Sequence, residues 1–73
     1  MDTRNLQDAI LKEVVRDRIP VTLYLMNGFQ LRGIITAYDS FVVMLVTEGK
    51  QQMIYKHGIS TLAPLRPLAT AMR

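Results

Sequence analysis

The sequence predicts a mainly β protein: an N-terminal α-helix followed by a five-stranded, strongly bent antiparallel barrel-like sheet, assembled as a ring. Three observations carry this expectation. Apolar residues recur at helical spacing only up to Arg18 and at period two afterwards. Turn-forming residues at Asn27-Gly28, Asp39-Ser40 and Gly49 cut the later part into short runs, and Gly33 interrupts the longest of them. Finally, 73 residues with 49% hydrophobic content make one small domain rich in apolar surface. A domain of this size needs disulfides, a metal or partners. With no cysteine and one histidine, partners are the remaining support.

Residues 6–18 read as one amphipathic helix. Leu6, Ile10 and Val14 form a stripe that Leu11 and Val15 widen, while Gln7, Lys12, Glu13 and Arg16 take the other side. Asn5 is placed to accept from the first-turn amides, with Asp8 in the capping-box position. Pro20 marks the stop, because the residue before a proline avoids helical geometry. Arg16 and Arg18 suit the negative end of the helix dipole.

From Val21 the pattern alternates: Val21, Leu23 and Leu25 on one face, Thr22, Tyr24 and Met26 on the other, ending at the hairpin signal Asn27-Gly28. The second strand, Phe29 to Tyr38, puts Leu31, Gly33, Ile35 and Ala37 together, and Gly33 allows a sharp bend. After the Asp39-Ser40 turn, 41–46 is apolar on both faces and reads as the core strand. Thr47 to Lys50 is a polar turn, Gln51 to Tyr55 a fourth strand and Ile59 to Ala63 a fifth. Only Lys56-His57-Gly58 separates these two, so the chain is expected to cross the barrel mouth through a tight turn. Residues 1–5 form an arm, and 65–73 are expected to be a short flexible tail. A bent sheet of this kind keeps two open edges unless neighbours pair with them, and head-to-tail edge pairing closes a ring.

The run Tyr55-Lys56-His57-Gly58-Ile59-Ser60-Thr61 gathers a flat ring, an ammonium, an imidazole and two hydroxyls. Such groups can stack on a base, neutralise a phosphate and bond a base edge or 2′-hydroxyl. The net charge of +3 permits an anionic partner, and a ring would multiply it. Catalysis finds no support: a lone histidine has no nucleophile and orienting acid in a recognisable pattern, and there is neither a phosphate loop with its lysine nor a metal-ligand cluster. No cofactor is expected. Taken on residues alone, several roles stay open. Tyr24 and Phe29 fit packing as well as stacking, Phe41 fits core as well as base contact, and His57 fits a backbone-bound imidazole as well as RNA contact. Lys56 fits a solvated charge, an interface ion pair or a ligand contact. Asp39 reads as a cap for turn amides, and Tyr38, Met26, Met44 and Met53 as core or interface filler.

The helix, then Val21-x-Leu23-Tyr24-Leu25-x-Asn27-Gly28, Leu31-x-Gly33, Asp39-x-Phe41-Val42 and the Tyr55 to Thr61 run, together resemble the Hfq family of bacterial Sm-like RNA chaperones from about Leu6 to Pro64. The resemblance implies an Sm-like domain over 6–64, a homohexameric ring, and binding of small regulatory RNA and mRNA in post-transcriptional regulation. It also implies three RNA surfaces. The proximal one, for U-rich RNA, maps to Gln7, Asp8, Ser40, Phe41, Tyr55, Lys56 and His57. The distal one, for A-rich RNA, maps to Tyr24, Leu25, Asn27, Gly28, Phe29, Gln30, Leu31, Arg32, Gln52 and Thr61. The rim maps to Lys12, Arg16 and Arg18, with Val15 where strongly annealing relatives carry arginine. Weak annealing is therefore expected, and Val15→Arg is expected to speed it. A ring with a mainly structural or protein-interaction role is the alternative, and it predicts no salt-dependent RNA affinity. Lys12, Glu13, Arg16, Asp17 and Arg18 interrupt any signal-peptide core, and no run is long enough to span a membrane, so a cytoplasmic protein is expected.

Overall fold

The computed structural model describes residues 3–69. Helix α1 spans Thr3–Arg16. It starts before Asn5, since neither glycine nor proline stands in the way of helical backbone there, so Asn5 lies inside the helix and Asp8 falls in its second turn. The C-terminal end differs from expectation in a more specific way. Arg18 N–H donates to the Val15 carbonyl at 3.4 Å and Ile19 N–H to the Val14 carbonyl at 3.0 Å, while Arg18 adopts φ 51°. That is a Schellman stop, with arginine in the left-handed position that glycine usually fills. Its hydrophobic contact is present, because Val14 and Ile19 are both buried in the core. Pro20 lies beyond a helix that has already ended.

Strands β1 (Val21–Leu25), β2 (Gln30–Tyr38), β3 (Val42–Thr47), β4 (Lys50–Tyr55) and β5 (Ile59–Pro64) form one antiparallel sheet in the order β4-β3-β2-β1-β5. A 3₁₀ turn, Lys56–Gly58, links β4 to β5. This short link joins opposite edges of the sheet, which fixes its shape. Flat, the outer strands would stand roughly 19 Å apart at about 4.8 Å per step. The chain from Tyr55 to Ile59 reaches at most about 14 Å. The sheet must curl into an open barrel.

Gly33 is where β2 bends. Its first half pairs with β1, ending at Val21↔Gly33, and its second half pairs with β3, beginning at Ile34↔Val46. The β3 backbone comes so close that a Cβ on Gly33 would overlap the Val46 carbonyl oxygen. Thr47 Oγ1 donates to the Arg32 carbonyl at the same place. One strand thus serves two halves of the barrel because glycine lets a second strand approach its backbone.

Two irregularities alter the simple alternation. A bulge between Ile35 and Ala37 shifts the β2–β3 register, so Tyr38 rather than Ala37 returns to the core side, opposite Val43. Tyr38 accordingly packs against the core while Ala37 is exposed. A second irregularity in β1–β5 pairs Tyr24 with Thr61 but Leu25 with Ile59, leaving Ser60 as the extra residue.

The core consists of Leu11 and Val14 from α1, Ile19, then Val21, Leu23, Ile35, Val43 and Leu45 from the sheet, and Leu68. In β3, Val43 and Leu45 are buried and Val42, Met44 and Val46 half-buried, as its two-faced apolar pattern requires. Leu6, expected on the apolar stripe, is exposed. Leu68 corrects the flexible tail for residues 65–69. It is 3% exposed, Leu65 N–H donates to the Pro20 carbonyl at 2.9 Å, and Ala69 N–H donates to Glu13 Oε2 at 2.8 Å. Glu13, expected on the polar face of the helix, is itself buried for this reason. Residues 70–73 and the first two residues of the 1–5 arm lie outside the described residues, and the remainder of that arm is the first turn of α1.

Candidate nucleic-acid interface

At the barrel mouth, Asp39 builds the turn that displays Phe41. Its Oδ1 accepts the backbone N–H of Phe41 at 2.7 Å and of Val42 at 2.9 Å, and its own N–H donates to the Val42 carbonyl at 3.0 Å. The two amide donors hold the carboxyl below the ordinary carboxylate range, with the Lys56 charge assisting. Lys56 N–H in turn donates to the Phe41 carbonyl at 2.7 Å, and Val42 pairs with Tyr55. Ser40-Phe41 and Tyr55-Lys56-His57 are thereby joined, although they are distant in sequence. Phe41 is 73% exposed and Tyr55 54% exposed. The Tyr55 and His57 rings lie 5.7 Å apart at 34°. Lys56 Nζ stands 5.5 Å from the centre of the Tyr38 ring, a cation–π contact that orients the ammonium.

Gln7 and Lys56 share a cavity of about 220 Å³ between α1 and β5, floored by Ile10, Leu11 and Ile59. Asp8 is exposed on the same helix, but among the described residues no hydrogen bond or ion pair ties it to the Phe41 turn. Thr61, assigned from sequence to the distal set, also lines this cavity while pairing with Tyr24 in the β1–β5 ladder. It belongs to a strand that touches both regions.

The second region is the β1–β2 hairpin. Gly28 N–H donates to the Leu25 carbonyl at 3.0 Å and Leu25 N–H to the Phe29 carbonyl at 2.8 Å, with Gly28 at φ 92°. A turn followed by a left-handed glycine is a common three-residue hairpin connection. Asn27 Oδ1 accepts from Phe29 N–H at 3.1 Å, which stiffens the tip. Met26 N–H donates to the Gly58 carbonyl at 2.9 Å and ties the hairpin to the β4–β5 link. Cross-strand pairing sets Gln30, Tyr24 and Thr61 in one row, with Phe29 and Arg32 exposed nearby. Leu25 and Leu31 pack against the core instead, so only their exposed remainder can meet a ligand. Gln52, on β4, pairs with Leu45 of β3, and β3 and β2 lie between β4 and β1. Within one chain it stands apart from the hairpin row.

On the lateral surface, Lys12, Arg16 and Arg18 are all exposed. Arg16 Nε and Nη2 grip the two oxygens of Asp17 at 2.9 Å each, so the carboxylate is held below its ordinary range first by that pair. Val15 is half-buried against the core, so arginine there would give up apolar contact along with any gain in annealing. Sequence reasoning missed Arg66. Its Nη2 donates to the Asp17 carbonyl at 3.2 Å, placing it beside the Arg16–Asp17 pair. The available signal was Leu68, an apolar residue two positions on that seats in the core.

A family model described as Hfq protein matches residues 6–69. The RNA-binding protein Hfq of Pelotomaculum thermopropionicum is 55% identical over 67 residues, covering 92% of this chain and 81% of its own length. That of Moorella thermoacetica is 58% identical over 64 residues, covering 88% and 76%. A crystal structure of the pleiotropic translational regulator Hfq matches with a TM-score of 0.78 at 45% identity, covering 80% of this chain and 97% of that one. An Hfq protein from Anabaena sp. gives a TM-score of 0.74 at 24% identity over 80% and 93%, a likeness of fold.

Proposed function

The chain belongs to the Hfq family, and from this premise we propose that it is an RNA-binding chaperone with two separate RNA surfaces on a homohexameric ring. Membership in this family makes it an RNA-binding protein and not an enzyme. U-rich RNA is held at the barrel mouth by Phe41, Tyr55, Lys56 and His57, with Gln7, Asp8 and Ser40 around them. A-rich RNA lies along Tyr24, Phe29, Gln30, Arg32 and Thr61, with the Asn27-Gly28 backbone, Leu25, Leu31 and Gln52 completing the site. Small regulatory RNA and mRNA meet on the ring in the cytoplasm.

The observation that carries this reading is the exposure of Phe41 on a turn bonded to the Tyr55-Lys56-His57 segment. An apolar ring left 73% exposed and held rigidly by Asp39 gains nothing from the fold. Stacking on a base is worth about 1–3 kcal/mol. The ring is supported by the sheet, whose outer strands β4 and β5 each have one ladder partner among the described residues. Gln52 on β4 can join the hairpin row once copies are set side by side. Among the described residues no helix is long and apolar enough to cross a membrane.

Fluorescence anisotropy with oligo-U and oligo-A tests the two surfaces. Phe41→Ala is expected to lose oligo-U binding while keeping oligo-A, and Tyr24→Ala the reverse. Equal losses for both RNAs in both variants would sink the two-surface reading, and absence of RNA affinity in the native chain would favour the structural ring.

A further inference from the structure

We propose that Arg66, carried by the segment after β5, is an additional phosphate-binding residue that extends the lateral basic strip formed by Lys12, Arg16 and Arg18. This rests on the RNA-binding reading above.

A cation on a loose tail would pay too much ordering entropy to add useful affinity. Arg66 is not on a loose tail. The residue before it is tied to Pro20 by a backbone hydrogen bond of 2.9 Å, the residue after it is proline, Leu68 sits in the core, and Ala69 is bonded to buried Glu13. The backbone that presents the guanidinium is fixed on both sides, 49 residues from Asp17 in sequence.

The charge is also available. Asp17 is the nearby carboxylate, and both of its oxygens are taken by the Arg16 fork. The one hydrogen bond Arg66 makes among the described residues is to the Asp17 backbone carbonyl, through one guanidinium nitrogen, and its charge adds only after the Arg16 pair to the lowering of the Asp17 carboxyl. Among the described residues neither Arg18 nor Arg66 has a carboxylate within ion-pair distance. Arg16, Arg18 and Arg66 around one Asp17 leave a positive excess. The remaining Arg66 donors can meet a phosphate, for which the planar guanidinium is well suited. A purely structural role, capping a carbonyl at the helix C-terminus, is the competing explanation.

Salt dependence separates the two. A single-stranded RNA contact to one phosphate contributes about 0.7 to the slope of log affinity against log salt. The background is the full chain carrying Tyr24→Ala and Phe41→Ala, which leaves the lateral surface, and the probe is a mixed-sequence 16-nucleotide RNA. Adding Arg66→Gln is expected to weaken binding several-fold at low salt and to lower the slope by about 0.7 per lost contact. Arg66→Lys is expected to keep the slope. Thermal midpoints of the same proteins report any capping loss separately. An unchanged slope in Arg66→Gln, with RNA bound by the background protein, overturns the role of Arg66 alone. If the native chain shows no salt-dependent RNA affinity, the RNA-binding reading itself fails.

Discussion

Asp39 Oδ1 lies 2.7 Å from the backbone nitrogen of Phe41, so an acid with no ligand role sets the direction of the aromatic ring two residues on. The bond is made by the carboxylate, and its folded pKa is lowered chiefly by the Phe41 and Val42 amides. A lowered pKa means that the stabilisation is complete above the unfolded value, near 4, and is lost as pH falls through the folded value. Asp39→Asn is therefore expected to lower the thermal midpoint at pH 7 and to flatten its fall between pH 5 and pH 3. The same variant should weaken oligo-U binding without touching oligo-A. A midpoint with the native acid dependence would show that Asp39 does not carry the turn.

Gly33→Ala forces a methyl group against the Val46 carbonyl, where the nearest atoms are backbone. Either β2 or β3 must move. The expected cost is about 3 kcal/mol in urea unfolding, with loss of the ordered barrel. A change below about 0.5 kcal/mol would mean that the strands are not so closely apposed.

Leu68→Ala removes a core side chain that the local sequence marks as tail. About 3 kcal/mol is expected, whereas a frayed segment would show almost none. Glu13→Ala leaves the Ala69 amide without this acceptor and is expected to cost about 1–2 kcal/mol. Glu13→Gln retains an acceptor and should recover most of it. Denaturant midpoints of the three variants give the comparison.

Arg18 ends α1 at φ 51°, a conformation that is unfavourable for a side chain with a Cβ. Arg18→Gly is expected to stabilise the fold by about 0.5–1 kcal/mol after the greater unfolded-state entropy of glycine is counted. It also removes one rim cation, so the midpoint should rise while lateral RNA affinity falls. Movement of both in the same direction would contradict the assignment.

Much of the fold is legible in local pattern. Period two from Val21, the Asn27-Gly28 and Asp39-Ser40 turns and the bend at Gly33 each act over a few residues, and the strands follow them closely. The stop of α1 was less legible, because Pro20 is conspicuous while the Schellman stop uses an ordinary arginine. The bulge after Ile35 was invisible, since Tyr38 and Ala37 exchange faces through pairing with β3 and not through their own preferences.

For the candidate interface, composition alone left Tyr24, Phe29, Phe41 and His57 ambiguous between packing and binding; motif resemblance named the family and backbone geometry supplied the exposure. By itself the sequence determined the element order, the bent sheet and the chemical character of the Tyr55 to Thr61 run, because these depend on residues near one another in the chain. Only the tertiary structure joined Phe41 to Lys56, buried Glu13 under Ala69 and set Arg66 beside Asp17. Those contacts link distant segments, and their free energy comes from closing the barrel and seating Leu68 in its core, which no local propensity encodes.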